Sequence, residues 1–188
     1  TPLDNVIKED YSEKSVFSFI KSFSPLELII SFVFVIALIV GVVGINAYNK
    51  PCETVTIDVN PSIELVINRF DRVIEINFNN DDANEIYNDI KFKNKKIDVA
   101  LEKCYESLLE NGYLDNEDSN MIIVSGYSHK DSFSDEKLGE LYNVLEDENI
   151  KHNIKCSIEL NKVTEEMKKF ALDNNITVGK AKVIDMIL

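Results

Sequence analysis

Positive charge is scarce in this 188-residue chain: 20 Lys and Arg stand against 33 Asp and Glu, a formal net charge of -13. Nucleic-acid phosphates are held by basic faces, so DNA and RNA are excluded as partners of the folded part. Histidine is scarcer still, with only His129 and His152. Both lie in polar loop contexts, and neither has a Cys, Asp or Glu at a spacing that stands out as a metal site or triad. Each is read as a surface histidine. The chain also lacks a glycine-rich phosphate loop, Gly-x-Ser-x-Gly and His-Glu-x-x-His. Its carboxylates are many but scattered. A turnover enzyme is therefore not expected, and no cofactor or metal is called for.

Cysteine is limited to Cys52, Cys104 and Cys156, an odd number that cannot pair fully. Cys104 falls on an apolar helix face and is expected to be packed. Cys52–Cys156 is the bridge that this leaves open, and the spacings suggest no zinc site. An initiator Met is missing, and the sequence stops at "VIDMIL" without a polar tail. It is expected to be a piece of something longer.

What is present in quantity is hydrophobic length. "LIISFVFVIALIVGVVGINAYN", Leu28 to Asn49, contains no charged residue. As a helix it spans roughly 33 Å, enough for a bilayer core of about 30 Å. A signal peptide fits poorly, because polar residues precede the run, it is too long, and no Ala-x-Ala-like site follows. Lys8, Lys14 and Lys21 come before it and only Lys50 comes just after, a bias that places the N-terminus in the cytoplasm. The expected organisation is a cytoplasmic juxtamembrane segment at 1–26, a transmembrane helix at 27–49 and an extracytoplasmic α+β domain at 52–188. "SVFSFIKSFS" at 15–24 could form a short amphipathic stretch on the membrane surface or a plain linker.

Beyond Pro51 the pattern changes to alternation. Val55, Ile57 and Val59 share one face of a first strand, with Thr54, Thr56 and Asp58 on the other. Ile63, Leu65 and Ile67 alternate in a second, and Val73 to Phe78 makes a third after a hairpin loop at "NRFDR". The polar cluster "NNDDAN" ends this meander. A 3.6-residue apolar stripe then predicts a helix from Lys95 to Glu110, closed by Asn111-Gly112. A buried strand at 120–127, a helix capped by Ser134 and running to about Glu148, a strand at 152–160, a helix from Asn161 or Thr164 through Leu172, and a last helix from near Thr177 complete the reading. The fold class is α+β: a mixed sheet with helices packed on one face, preceded by a single transmembrane helix.

Asn60-Pro61 interrupts the first two strands. By itself such a pair starts an ordinary turn, with the residue before Pro extended. Its surroundings point elsewhere. "TIDVNPSIELVINRFDRVIEI", Thr56 to Ile76, resembles the outer-domain signature of the RsgI-type anti-sigma factors of Gram-positive bacteria, most specifically in the Asp-x-Asn-Pro-Ser-x-Glu run from Asp58 to Glu64. "NGYL" at Asn111, "NMIIVS" at Asn120 and the closing "NNITVGKAKVIDMIL" add to the resemblance, which covers about residues 26–188. It implies a membrane-anchored regulator with a small cytoplasmic domain that inhibits a sigma-I-type factor. It also implies one helix through the lipid and an outer domain that cleaves itself between Asn60 and Pro61 while the pieces stay together. An intramembrane protease completes the release, and a sensing module, often for polysaccharide, commonly follows. The inhibitory domain is expected to be missing or cut short here, and the sensing module to be absent.

The chemistry implied is reasonable for these residues. The Asn60 carboxamide can attack its own main-chain carbonyl carbon and close a five-membered succinimide, expelling the Pro61 nitrogen. That nitrogen carries no hydrogen, so the competing attack on the side chain that leads to deamidation is closed. An N-to-O shift needs a hydroxyl just after the broken bond, and Ser62 is one residue too far. Cleavage within about ten minutes needs a barrier near 21 kcal/mol. Backbone strain of about 1–3 kcal/mol assists. Holding the amide in an attacking pose can contribute up to roughly 7–11 kcal/mol and should dominate. Asp58, Ser62 and Glu64 are candidates to orient the amide or accept a proton, though Asp58 and Ser62 fit equally as outward turn residues. After scission the membrane piece would keep one strand, residues 54–60, at the edge of the sheet. The alternative reading is an uncleaved, membrane-tethered domain that binds cell-wall or polysaccharide ligands.

Overall fold

A computed structural model describes residues 24–116, 120–130, 133–174 and 176–187. They form two compact units that divide between Ile45 and Asn46. The first is built from helix α1, Pro25–Tyr48, up to Ile45, the last three residues of the helix belonging to the second. Ser24 and Glu27 start it with a reciprocal capping box: the Ser24 N–H donates to Glu27 Oε2 at 2.7 Å, and the Glu27 N–H donates to Ser24 Oγ at 3.3 Å. Pro25 occupies the first helical position, where a missing N–H costs nothing. The helix has 24 residues and none is buried. At roughly 36 Å it is long and apolar enough to cross a bilayer. Apart from Ser24, the stretch expected at 15–24 lies outside the described residues, as do Lys8, Lys14 and Lys21.

The second unit is an α+β domain around a five-stranded mixed sheet of order β3-β2-β1-β4-β5. The strands are β1 (Pro51–Asp58), β2 (Ser62–Asn68), β3 (Val73–Phe78), β4 (Asn120–Ser128) and β5 (Cys156–Lys162). β1 pairs antiparallel with both β2 and β4, β2 pairs antiparallel with β3, and β4 with β5 is parallel. The first strand is thus central, not the edge expected from sequence. Its register with β4 aligns Thr56 with Ser125 and Val55 with Gly126. Local alternation shows which side of a strand is apolar; it carries no information on who its neighbours are.

One face of the sheet holds the apolar core. Val55, Ile57, Ile63, Leu65, Ile67, Ile122 and Val124 are all essentially buried there. They pack with Leu101, Cys104, Tyr105 and Leu108 of α3 (Ile97–Glu110), and with Leu138, Leu141 and Leu145 of α4 (Asp135–His152). Helix α3 ends at Gly112, φ +73, in the left-handed region that glycine enters without a Cβ penalty. Ser134 caps α4 as expected, accepting from the Lys137 N–H at 3.0 Å. That helix runs a turn past Glu148 and stops at Asn153, φ +54, so β5 begins later than its apolar pattern suggests.

Two features depart from the sequence reading. "NNDDAN" forms a short helix, α2 (Asp81–Tyr87), capped by Asn80. The second face of the sheet is also covered, by α5 (Glu165–Asp173) and α6 (Val178–Ile187). Tyr127 of β4 meets α5 there: its hydroxyl donates to Glu165, and Lys168 Nζ lies 4.3 Å from its ring centroid. Thr54, Thr56 and Asp58, whose alternation reads as solvent-facing, are 2–6% exposed beneath this layer.

The bridge between Cys52 and Cys156 is ruled out by topology, and all three thiols are free. Cys52 carries the carbonyl that accepts from the His129 N–H, beyond one end of β4, whereas Cys156 is in register with Asn120 at the other end. About nine residues of strand, on the order of 30 Å, separate them. Cys104 is buried in the core as expected. Burial also pushes the Cys156 thiol up to about 11.

Candidate functional site

The turn between β1 and β2 is a three-residue loop, Val59-Asn60-Pro61, closed by the pairing of Asp58 with Ser62. Inside it the Val59 N–H donates to the Pro61 carbonyl at 3.1 Å. This tight closure forces Asn60 to φ +86. A left-handed backbone costs a non-glycine residue roughly 1–3 kcal/mol, and asparagine is among the few that tolerate it. The Asn60-Pro61 bond itself is trans. Asn60 is exposed, while Pro61 and Ser62 are buried. The pair therefore marks the surface end of the hairpin, with its second half anchored in the domain.

The residues expected around this bond separate into two groups. Asp58 and Ser62 come together: Ser62 Oγ donates to Asp58 Oδ1, and both residues are buried, at 6% and 2% exposure. They are not outward turn residues. Burial arises because the first turn of α6 presses on the carboxylate. A Cβ built on Gly179 would overlap Asp58 Oδ2 and lie 3.4 Å from Ser125 Oγ. A helix N-terminus carries partial positive charge, which suits a carboxylate at that position. Ser62 also accepts from Asn79 Nδ2 at 3.3 Å. Glu64 is placed apart, opposite Thr56, and accepts from Asn77 Nδ2 of β3 at 3.3 Å. It lines a groove with Asn79, Lys168 and Leu172.

One neighbour of the turn was missed in the sequence. Asn80, the cap of α2, donates from Nδ2 to Asn60 Oδ1 at 2.9 Å. Its Oδ1 accepts from the Ala83 N–H at 3.0 Å and from the Ser62 N–H at 3.2 Å. The signal was legible, since an Asn followed by two Asp residues is a good helix start. The helix it starts is too short for apolar periodicity to reveal.

The histidines sit away from this turn. His129 Nε2 lies 3.1 Å from Thr54 Oγ1, and its ring meets Tyr127 edge-on. Burial and the Lys168 ammonium lower its pKa below the usual histidine value. His152 reaches Glu148 one turn back, with Nε2 to Oε2 at 3.2 Å.

Residues 52–186 match the family described as the anti-sigma factor RsgI-like central domain. The chain belongs to this family. The match runs from β1 into α6 and so contains the whole Asn60 turn, Asn80 and the helix that covers Asp58. Among similar proteins, anti-sigma-I factor RsgI7 of Acetivibrio thermocellus is 26% identical over 148 residues, 77% of this chain and 26% of that protein. RsgI9 of the same organism is 29% identical over 142 residues, 75% of this chain and 18% of that protein. Anti-sigma-I factor RsgI of Bacillus anthracis is 28% identical over 138 residues, 70% of this chain and 30% of that protein. The chain therefore spans between about a fifth and two fifths of the length of the RsgI relatives it matches.

Proposed function

We propose that this chain is the membrane-anchored and outer part of an anti-sigma factor, and that its outer domain cuts itself once between Asn60 and Pro61. The observation that carries the reading is the backbone at Asn60, held at φ +86 in a three-residue turn directly before a buried proline. Such a residue is strained, and breaking its link to Pro61 relieves the strain.

In the step proposed, Asn60 Nδ2 bonds to the Asn60 main-chain carbonyl carbon and the bond from that carbon to the Pro61 nitrogen breaks. The proton lost from Nδ2 goes to the proline nitrogen, which becomes a new N-terminus. Asn60 is left as a C-terminal succinimide that water opens later. No metal or cofactor takes part, and the event is a single turnover. The cut leaves β1 joined to α1 on one piece and β2 through β5 on the other. Because β1 lies between β2 and β4, the pieces stay paired along both sides.

The positive-inside bias of Lys8, Lys14 and Lys21 over Lys50 supports a cytoplasmic N-terminus and an outer C-terminal domain in a single-pass arrangement. The names of the relatives support a sigma-I-type factor as the partner, bound by a cytoplasmic part of the whole protein. An intramembrane protease acting on α1 within the lipid would complete release.

A denaturing gel tests the reading. Wild-type protein should give two fragments, Asn60→Ala one, and mass spectrometry should find an N-terminus at Pro61. An intact wild-type band would sink the proposal and favour the tethered, uncleaved ligand-binding domain.

A further inference from the structure

We propose that Asn80 is the positioning residue of the cleavage, a carboxamide that fixes the Asn60 side chain for attack and ties the two sides of the bond together. This inference rests on the reading that the Asn60-Pro61 bond cleaves itself. The orientation of Asn80 follows from hydrogen-bond chemistry. Two main-chain N–H groups, from Ser62 and Ala83, converge on one end of its amide at 3.2 and 3.0 Å. Only the oxygen can accept both, so the nitrogen must occupy the other end. That end lies 2.9 Å from Asn60 Oδ1. The same logic then applies to Asn60. With its oxygen facing a donor, its nitrogen is the opposite end of the carboxamide. A flipped Asn60 would set one NH2 group against another. Asn80 therefore selects the form of Asn60 in which Nδ2, the nucleophile, is left for the main-chain carbon.

The contact suits the reaction as well as the resting state. Asn60 Oδ1 is not consumed when the succinimide closes; it remains a carbonyl oxygen and can keep accepting from Asn80. The donor thus removes a rotation without opposing the ring closure. Asn80 also bridges the bond that breaks, because it holds Asn60 on one side and the N–H of Ser62, the residue after Pro61, on the other. Its own main chain is set by the start of α2, where it serves as the cap.

The typical net contribution of one hydrogen bond corresponds to about 2- to 12-fold in rate, and lost orientation adds to this, so removing the donor should slow cleavage at least about tenfold. The test uses the full chain, made uncleaved in denaturant and refolded in detergent micelles, with cleavage followed by gel against time. Asn80→Asp keeps an acceptor for both N–H groups and remains a good cap, but places a carboxylate against Asn60 Oδ1. Asn80→Ser keeps the cap with a side chain too short to reach Asn60. Both variants should melt close to wild type and cleave at least tenfold more slowly at pH 7. Acid restores a donor to Asn80→Asp when its new carboxyl is protonated; the two N–H donors and the helix start favour its charged form, so its rate should recover only below about pH 4, while Asn80→Ser stays slow. Asp58 and Glu64 on the strands and Asp81 and Asp82 in the first turn of α2 are the other carboxylates around this turn, and the wild-type profile measured alongside removes their effect. Wild-type rates in both variants, or a slow Asn80→Asp that acid does not rescue, would overturn the role of Asn80 while leaving cleavage itself intact. Wild-type protein that stays whole, like Asn60→Ala, would instead remove the reading on which the inference rests.

Discussion

Ile57 is the most informative single position for asking how firmly the two pieces of the proposed cut would hold together. It is 1% exposed in the central strand, in register with Ile63 on β2 and Val124 on β4. Truncating a buried isoleucine to alanine costs about 2–5 kcal/mol. If the pieces separate by withdrawal of β1, that cost falls on the joined state alone, which shifts the joined-to-separated ratio by about 30-fold to several thousand-fold. Val55 is equally buried but smaller, so Val55→Ala should shift it less, and Val59, only partly buried, least of all. The assay places the full chain in membrane vesicles, confirms equal scission on a gel, and titrates urea while measuring the outer piece released to the supernatant. Release should move to lower urea in the order Ile57→Ala, Val55→Ala, Val59→Ala. A triple variant that releases no more than wild type at any urea concentration would refute withdrawal of β1 as the separating event.

Two further outcomes follow from the packing and charge of the α+β domain. Gly139 and Gly179 are both helical, yet a Cβ meets nothing within 4 Å at the first and overlaps Asp58 at the second. Gly139→Ala should gain up to about 1 kcal/mol of helix propensity. Gly179→Ala should lose about 1–3 kcal/mol to overpacking, lowering Tm by about 4–12 °C in a thermal melt. His129 has a folded pKa below its unfolded value, so the unfolded chain takes up the proton more readily. Stability is then fully present above about pH 6.5 and declines as pH falls below it. Melts between pH 7.5 and 5.5 should show this slope, and His129→Gln should flatten it.

The parts of the fold readable from sequence were those fixed by local pattern. The three-strand meander, the apolar stripe that became α3, and the caps Ser134 and Thr164 all lie where alternation and helix-start chemistry place them. What escaped was relational. Thr54, Thr56 and Asp58 form a polar row, and a polar row usually faces water; here α5 and α6 cover it. That roof depends on a contact between Gly179 and Asp58, more than a hundred residues apart in sequence, that no window of neighbouring residues contains. The site divides in the same way. Asn60-Pro61 was conspicuous, whereas Asn80 carries no mark of its own and gains significance only because the β2–β3 hairpin returns the chain to the turn, with the Asn79 N–H on the Ser62 carbonyl.

The sheet order β3-β2-β1-β4-β5 has a kinetic consequence. In an uncut molecule, losing and regaining β1 is an internal rearrangement, and the tethered strand returns to its slot at a rate independent of concentration. In a cut one the missing strand and its vacant slot would belong to different molecules, free to drift apart. Reassembly then depends on dilution rather than on chain length. Severing a single link at the tip of the innermost hairpin would convert a reversible breathing motion into a departure that is not retraced.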